Sequence, residues 1–566
     1  MPEGRAARVM AHVQRFRPVD AGLETFRTLG SFLSQPQRRP GQKVLESEMQ
    51  RQPGALVALL ACSILVGCGS SDDNNDMTAP VEPAQPVAQR GDLLTSPPAK
   101  LNSYTSSQLL AALGGSDIGK ALVGVTLSPN CGVDVYQLKY QTVGAKSESV
   151  AASGALMIPT GTDANCTGAR PVMLYAHGTT ASKTYNIADL TGSNNAEGLA
   201  VATLFAASGY IVIAPNYTGY DTSTLAYHPY LNADAQSKDM IDALTAGRSA
   251  LPLAATPSTT SNGKLFITGY SQGGYVAMAT HRALQTLGTP VTAAAPLSGP
   301  YALSAFGDAI FEGNVSASAD VNLVLLSAGY QQAYGNIYSA TTDEFEAKYA
   351  TGIDTLLPSA TSTGDLVTQG KLPAGVVFNS TAPAPQFASF TPSTTPAEFA
   401  PLFAKGFGTD NLITNAFRLA YLNDAQTAPD GGFPTATDGL PPANPANALR
   451  IALKTNDLRN WTPNVPVLLC GGAHDPTVFF FNTQLMQSYW VSHPPAGAVT
   501  VVDIDSSGDP YSTLRDGFQA AKDAVRTAAV LGGASDGGDE AVLENYHAGL
   551  VAPFCLSAAR QFFDGL

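Results

Sequence analysis

The run Gly269-Tyr270-Ser271-Gln272-Gly273-Gly274 sets a serine among glycines at the junction of an apolar segment and an amphipathic one. Residues 264–268 (KLFIT) read as a buried strand. Residues 275–287, with Val276, Met278, Ala279 and Ala283 at near-helical spacing, read as a helix. A serine on a sharp strand-to-helix turn presents its hydroxyl to a cleft, with the amide of Gln272 aimed at the same point. Glycine is needed around it because a flanking side chain would strike the strand or the helix. The bare pattern is cheap in a glycine-rich chain; the strand, turn and helix around it carry the signal. Such a serine becomes a nucleophile when a base takes its proton, an anion orients that base, and donors receive the oxyanion.

The elements that must position these groups follow from apolar runs alternating with helical ones. Residues 133–143 and 149–158 alternate enough to pair as strands across a turn at 144–148. Further strands are expected at 171–175, 210–214, 291–296, 465–470 and 499–504, and helices at 197–208 and 233–251. This order predicts an α/β protein with a mostly parallel central sheet covered by helices on both faces. Strand 171–175 runs into His177-Gly178-Thr179 and strand 210–214 into Asn216-Tyr217, at the carboxyl ends where open α/β sheets bind ligands. About 170 residues separate 296 from 465, where one helical crossover would serve. Helices are expected there at 321–334, 342–356 and 411–423. The insertion is expected to cap the cleft, with Phe387, Phe390, Phe399, Phe403 and Phe407 lining an apolar pocket or forming the cap's own core.

These motifs resemble the α/β-hydrolase superfamily over roughly residues 120–300 and 460–566. More narrowly, the chain is similar to exported bacterial and fungal lipases and carboxylesterases with a GYSQGG turn, a His-Gly-Thr loop and a large cap, some of which cleave polyesters. The resemblance implies the α/β-hydrolase fold with a mainly helical cap insertion, and a triad in the order Ser, acid, His. His547 follows the last expected strand and precedes the final helix, where the family carries its base. His12 lies in the leader, His177 and His228 precede the serine, His281 sits on the following helix, and His474 and His493 precede the last strand. Asp475, just past strand 465–470, stands where the family carries the acid that orients the imidazole. Asp503 and Asp505 are its rivals. The amides of Gln272 and Thr179 are the expected oxyanion donors, and His177, Tyr217 and Tyr270 are expected to line the cleft. The implied activity is hydrolysis of apolar carboxylic esters, polyesters included, through an acyl-enzyme. A serine peptidase or acyltransferase could run on the same triad, and a surface lipoprotein could keep the fold for binding alone.

Composition bounds the partners. Of 566 residues 13% are charged and 44% apolar, so a large core can form. Residues 1–67 hold nine Lys/Arg against five acids, a balance of +4, which leaves −18 on the rest of a chain whose net charge is −14. A body so acidic argues against nucleic acid. Residues 49–67 look like a secretory signal ending in Leu65-Val66-Gly67-Cys68, which resembles the bacterial lipobox; it implies a lipid on Cys68 as a membrane anchor. Gly69 after that cysteine implies delivery to the outer membrane of the bacterial cell envelope, with extracellular release as the alternative. Residues 1–48 read as lying outside the mature protein, and 68–99, polar and proline-rich, as a disordered tether. The catalytic core is expected at 100–300 and 461–566, split by the cap at 301–460. Cys131, Cys166, Cys470 and Cys555 remain, an even number in an exported chain. Cys131–Cys166 and Cys470–Cys555 are the preferred pairings of the three possible, since each pair flanks one structural unit. No metal spacing, phosphate loop or dinucleotide fingerprint stands in the right context, so neither metal nor cofactor is expected, and no obligate protein partner is inferred.

Overall fold

The computed structural model describes residues 88–566 apart from 116–118, 121–122, 124–128, 192–195 and 255–258. The expected leader, signal, Cys68 and the first part of the tether lie outside the described residues. Strands β1 (Ala99–Tyr104), β2 (Gly132–Val143), β3 (Ser149–Thr160), β4 (Gly168–Ala176), β5 (Ile211–Pro215), β6 (Thr259–Tyr270), β7 (Ala293–Leu297), β8 (Val467–Gly471) and β9 (Val499–Asp503) form one sheet. Its order is β1-β2-β3-β5-β4-β6-β7-β8-β9. The β1, β2 and β3 pairings are antiparallel; from β5 to β9 every pairing is parallel. The central strands β5 (IVIAP) and β7 (AAAPL) are buried along their whole length, as strands covered on both faces must be.

Helices α1 (Ser106–Leu113), α2 (Ala196–Leu204), α3 (Ala233–Ala254) and α4 (Gln272–Thr286) belong to the first half of the core. The cap follows β7 with α5 (Leu303–Phe311), α6 (Ala319–Tyr334), α7 (Asn415–Thr427) and α8 (Ala448–Asn456). After β9 come α9 (Ser512–Leu531), α10 (Asp539–Asn545), a π-helical turn at Tyr546–Val551, and α11 (Ala552–Asp564). Both preferred disulfides form, Cys131–Cys166 and Cys470–Cys555.

Three expectations need correction. The tether does not run to residue 99: the Gly91 and Leu94 amides donate to Gln141 and Lys139 carbonyls at 2.8 Å, and Arg90 pairs with Asp242 at 2.9 Å. Averaged composition hid a short segment that completes the edge of β2. The helix expected at 342–356 is broken into short turns at Thr341–Glu344, Ala347–Ala350 and Ile353–Thr355. Phe345 goes extended there, with ψ 143°, to bridge Ile413. The helix expected from 411 starts at Asn415, because the Thr414 hydroxyl caps it by accepting the Phe417 amide at 3.1 Å.

Candidate active site

Ser271 sits between β6 and α4 with φ 61° and ψ −123°, a conformation few non-glycine residues hold without surrounding constraint. The constraint is visible in the glycines. A Cβ on Gly269 would lie 2.4 Å from the Ala176 carbonyl oxygen, one on Gly273 2.0 Å from the same atom, and one on Gly274 2.2 Å from the Leu297 oxygen. Strands β4 and β7 therefore press directly on the turn, and only hydrogen fits at those three positions. The Ser271 amide donates to the Leu297 carbonyl at 3.0 Å, which pins the turn from below. Gln272 is the first residue of α4, where helix geometry leaves the amide without a partner four residues back.

Asp475 and His547 meet at the same edge of the sheet. His547 Nδ1 lies 2.7 Å from Asp475 Oδ2. The other carboxylate oxygen, Oδ1, accepts the amides of Thr477 at 2.9 Å and Val478 at 3.0 Å, which fixes the plane of a side chain that is 1% exposed. His547 lies on the π-helical turn, and its carbonyl accepts the Tyr270 hydroxyl at 2.7 Å, so the residue next to Ser271 holds the imidazole's backbone. With Nδ1 given to Asp475, Nε2 is the proton-accepting atom; it is buried and has no protein partner. Ser271 and His547 line one cavity of about 800 Å³. Neither rival acid touches His547. Asp503 Oδ1 accepts the amides of Ala473 and Asp505, each at 3.0 Å. Asp505 is taken up by the Tyr546 hydroxyl at 2.5 Å, Lys522 at 2.7 Å and His474 at 2.9 Å.

Thr179 and Gln272 also line this cavity, as does Tyr270. The neighbouring Gly178 amide is committed to Glu197 of α2, at 2.9 and 3.2 Å to its two oxygens. Glu197 also accepts the Tyr175 hydroxyl at 2.6 Å; burial pushes its carboxyl above the ordinary range, and these two donors hold it back. The cleft role expected for His177 and Tyr217 does not survive. Both are fully buried and stacked, ring centroids 4.1 Å apart, beneath the loop rather than in the cavity. Burial lowers His177 to about 4, keeping it neutral. Its neighbours Gly178 O and Asn216 O, and the Tyr217 hydroxyl on its own carbonyl, make it a structural peg. Sequence reasoning missed Glu197, His228 and Tyr230. Each lies outside any motif, and only the fold brings His228 to Gln272, Tyr230 to Thr179 and Glu197 to Gly178.

The rice cell wall degrading esterase LipA from Xanthomonas oryzae superposes with a TM-score of 0.55 at 28% identity, over 73% of this chain and 91% of that one. The fold is that of the α/β-hydrolases. A Legionella pneumophila structure gives the same TM-score of 0.55 at 18% identity, over 82% of this chain and 96% of its own. The prolyl oligopeptidase family matches residues 199–300, a stretch that holds Ser271 but neither Asp475 nor His547. No curated protein sequence is detectably similar to the chain. A serine on a strained turn, an imidazole held by a carboxylate and an α/β-hydrolase sheet beneath them are the arrangement of a serine hydrolase.

Among the described residues, the cavity's charged lining is limited to Glu197 and Glu544; no Lys or Arg faces it. Its walls are largely aliphatic, from cap residues such as Leu303, Ile310, Leu323 and Leu453 and from Leu556 of α11. The five phenylalanines considered at 387–407 do not line it. Phe399 and Phe403 cluster instead with Phe479 of the segment after Asp475, while Phe306 and Phe311 are the phenylalanines that face the cavity, beside Tyr230 and Tyr270.

Proposed function

We propose that the protein is a serine carboxylesterase of the lipase type, hydrolysing uncharged esters with an apolar acyl group. Ser271 is the nucleophile, His547 the general base and then acid, and Asp475 the group that fixes the imidazole tautomer. The amides of Gln272 and Thr179 receive the oxyanion. His547 Nε2 takes the Ser271 proton as Oγ attacks the ester carbonyl, and returns it to the leaving alcohol; water then repeats the sequence on the acyl-enzyme. The observation that carries this reading is the short Asp475–His547 hydrogen bond, which leaves Nε2 bare in the cavity that Ser271 lines. The aliphatic walls, without Lys or Arg among the described residues, favour neutral acyl chains over anionic ones. The similarity to an esterase named for rice cell wall degradation supports ester over amide chemistry and leaves polymeric esters, polyesters among them, within the proposed substrate class. The Cys68 signal supports a lipid-anchored enzyme of the cell envelope.

The match to the prolyl oligopeptidase family favours a second reading, a serine peptidase on the same residues. Hydrolysis of p-nitrophenyl acetate, octanoate and palmitate, beside peptidyl p-nitroanilides, separates the two. Esters turned over by the parent and not by Ser271→Ala, with anilides untouched, are the expected result. Preference for the anilides would replace the esterase reading by the peptidase one.

A further inference from the structure

Both proposed oxyanion donors are tied to one short turn, His228-Pro229-Tyr230, which lies between β5 and α3 and belongs to no motif. His228 is 1% exposed, and its Nδ1 lies 2.9 Å from the Thr218 carbonyl, so Nδ1 must carry the proton. Its Nε2 is then a bare acceptor, 2.7 Å from the side-chain Nε2 of Gln272. This settles both the tautomer and the amide orientation: the reversed amide would need an imidazolium, and burial lowers this histidine to about 3. Two residues on, the Tyr230 hydroxyl meets the Thr179 hydroxyl at 2.8 Å. The Tyr230 amide donates to the His228 carbonyl at 2.8 Å, which closes the turn into a rigid three-residue loop. Leu231, next in the chain, is held at φ 52°, a conformation that a branched side chain keeps only under constraint.

The constraint comes from the cap. Gly329 of α6 lies against the turn so closely that an added Cβ would stand 2.9 Å from the His228 oxygen and 3.1 Å from the Tyr230 nitrogen. Tyr330 donates its hydroxyl to the Leu231 carbonyl at 3.1 Å. We propose that this turn positions the oxyanion hole: His228 and Tyr230 hold the two residues whose amides receive the oxyanion, and the cap helix α6 sets the turn. The cap thereby contributes to catalysis as well as to substrate shape. The inference rests on the esterase reading above, since it concerns how that site's donors are placed.

The test compares Tyr230→Phe, His228→Ala and Gly329→Ala with the parent. Three readouts are taken: kinetics on p-nitrophenyl octanoate, affinity for an octyl trifluoromethyl ketone, and thermal melting. The ketone adds the serine oxygen to its carbonyl carbon and so places an oxyanion in the hole. Each variant is expected to lose about 10–100-fold in kcat, less than removal of a donor outright, with KM within about threefold. Ketone affinity should fall in step with kcat. A residue that only supports the fold would lower the melting temperature without this selective loss. Tyr230→Phe deletes one hydroxyl and decides the matter if His228→Ala does not fold. Unchanged kcat and ketone affinity in Tyr230→Phe and Gly329→Ala, in a protein that hydrolyses esters, overturns this inference and leaves the esterase reading standing. A parent with no ester hydrolysis and no fluorophosphonate label on Ser271 overturns both.

Discussion

The two oxygens of Asp475 have separate partners, and this makes the consequence of Asp475→Asn specific. Oδ1 is held by the amides of Thr477 and Val478, a pair of bonds that the carbonyl oxygen of asparagine can keep. Its NH₂ group would then face His547 Nδ1, which could bond to it only as a bare acceptor. The ring proton would move to Nε2, the atom that has to accept the Ser271 proton. The expected outcome is a loss of about 10³–10⁴-fold in kcat with little change in melting temperature, checked by ester kinetics and a thermal scan of the same preparation. Activity within about tenfold of the parent would remove Asp475 from this role. Ser271 was marked in the sequence by glycines at a strand end, and Asp475 and His547 by their places after an apolar strand and before the last helix, where the resembled family carries acid and base. The residues that hold the neighbouring Gln272, Thr179 and Gly178 carry no such signal. His228 bonds to a residue 44 positions away, Tyr230 to one 51 away and Glu197 to one 19 away, pairings that only the sheet order creates.

At the scale of elements, the parallel strands were legible through their apolar cores and the cap through its helices at 319–334 and 415–427, whereas the way the cap helices pack was not, because buried charges hold them. Arg450 of α8 pairs with Asp308 of α5 at 2.7 Å and with Asp424 of α7 at 2.8 Å, so three cap helices meet on one buried guanidinium. A charged side chain in sequence reads as surface, and nothing local marks these as inside. A second buried acid lies at the break at 344–346. Glu344 is fully buried, one oxygen accepting the Ser327 hydroxyl at 2.6 Å and the other without a partner. Burial raises its carboxyl from the ordinary 4.5 to about 8. A carboxyl raised by folding contributes stability that is complete below its unfolded pKa and is lost as pH rises through the folded one. The cap should therefore weaken progressively between pH 4.5 and about 8, with Glu312, raised to about 7 for the same reason, adding to the slope. Glu344→Gln, neutral at every pH, is expected to flatten that slope and to melt above the parent at pH 9. Parallel melting-temperature curves for the two proteins from pH 5 to 9 would show that Glu344 does not titrate in this way.

Across the whole molecule, the acid and the base come from segments 72 residues apart, joined near their meeting point by a covalent and a polar link. One is covalent: Cys470 is the penultimate residue of β8, five residues before Asp475, and Cys555 lies in α11 eight residues after His547. The other is polar: Tyr546, next to His547, donates to Asp505 at 2.5 Å and accepts the His474 amide at 3.2 Å. If the disulfide serves mainly to hold the register of acid and base, its loss should affect chemistry more than folding, because the polar link and the α11 core contacts remain. Removing a bridge that closes a loop of 85 residues costs about 2–4 kcal/mol, modest for a sheet of this size but large for a geometry in which a misplacement of about 1 Å can cost a hundredfold. Both sulfurs are wholly buried, so paired Cys470→Ala and Cys555→Ala substitutions test this more directly than an external reductant. The double variant is expected to keep its far-ultraviolet spectrum and a cooperative melt while losing about tenfold or more in kcat. Removal of Cys131–Cys166, which lies at the other end of the sheet, should lower the melting temperature and leave kcat near that of the parent. Equal kinetic losses from the two disulfides, or a loss of activity that only follows unfolding, would show that Cys470–Cys555 stabilises the fold without setting the acid–base geometry.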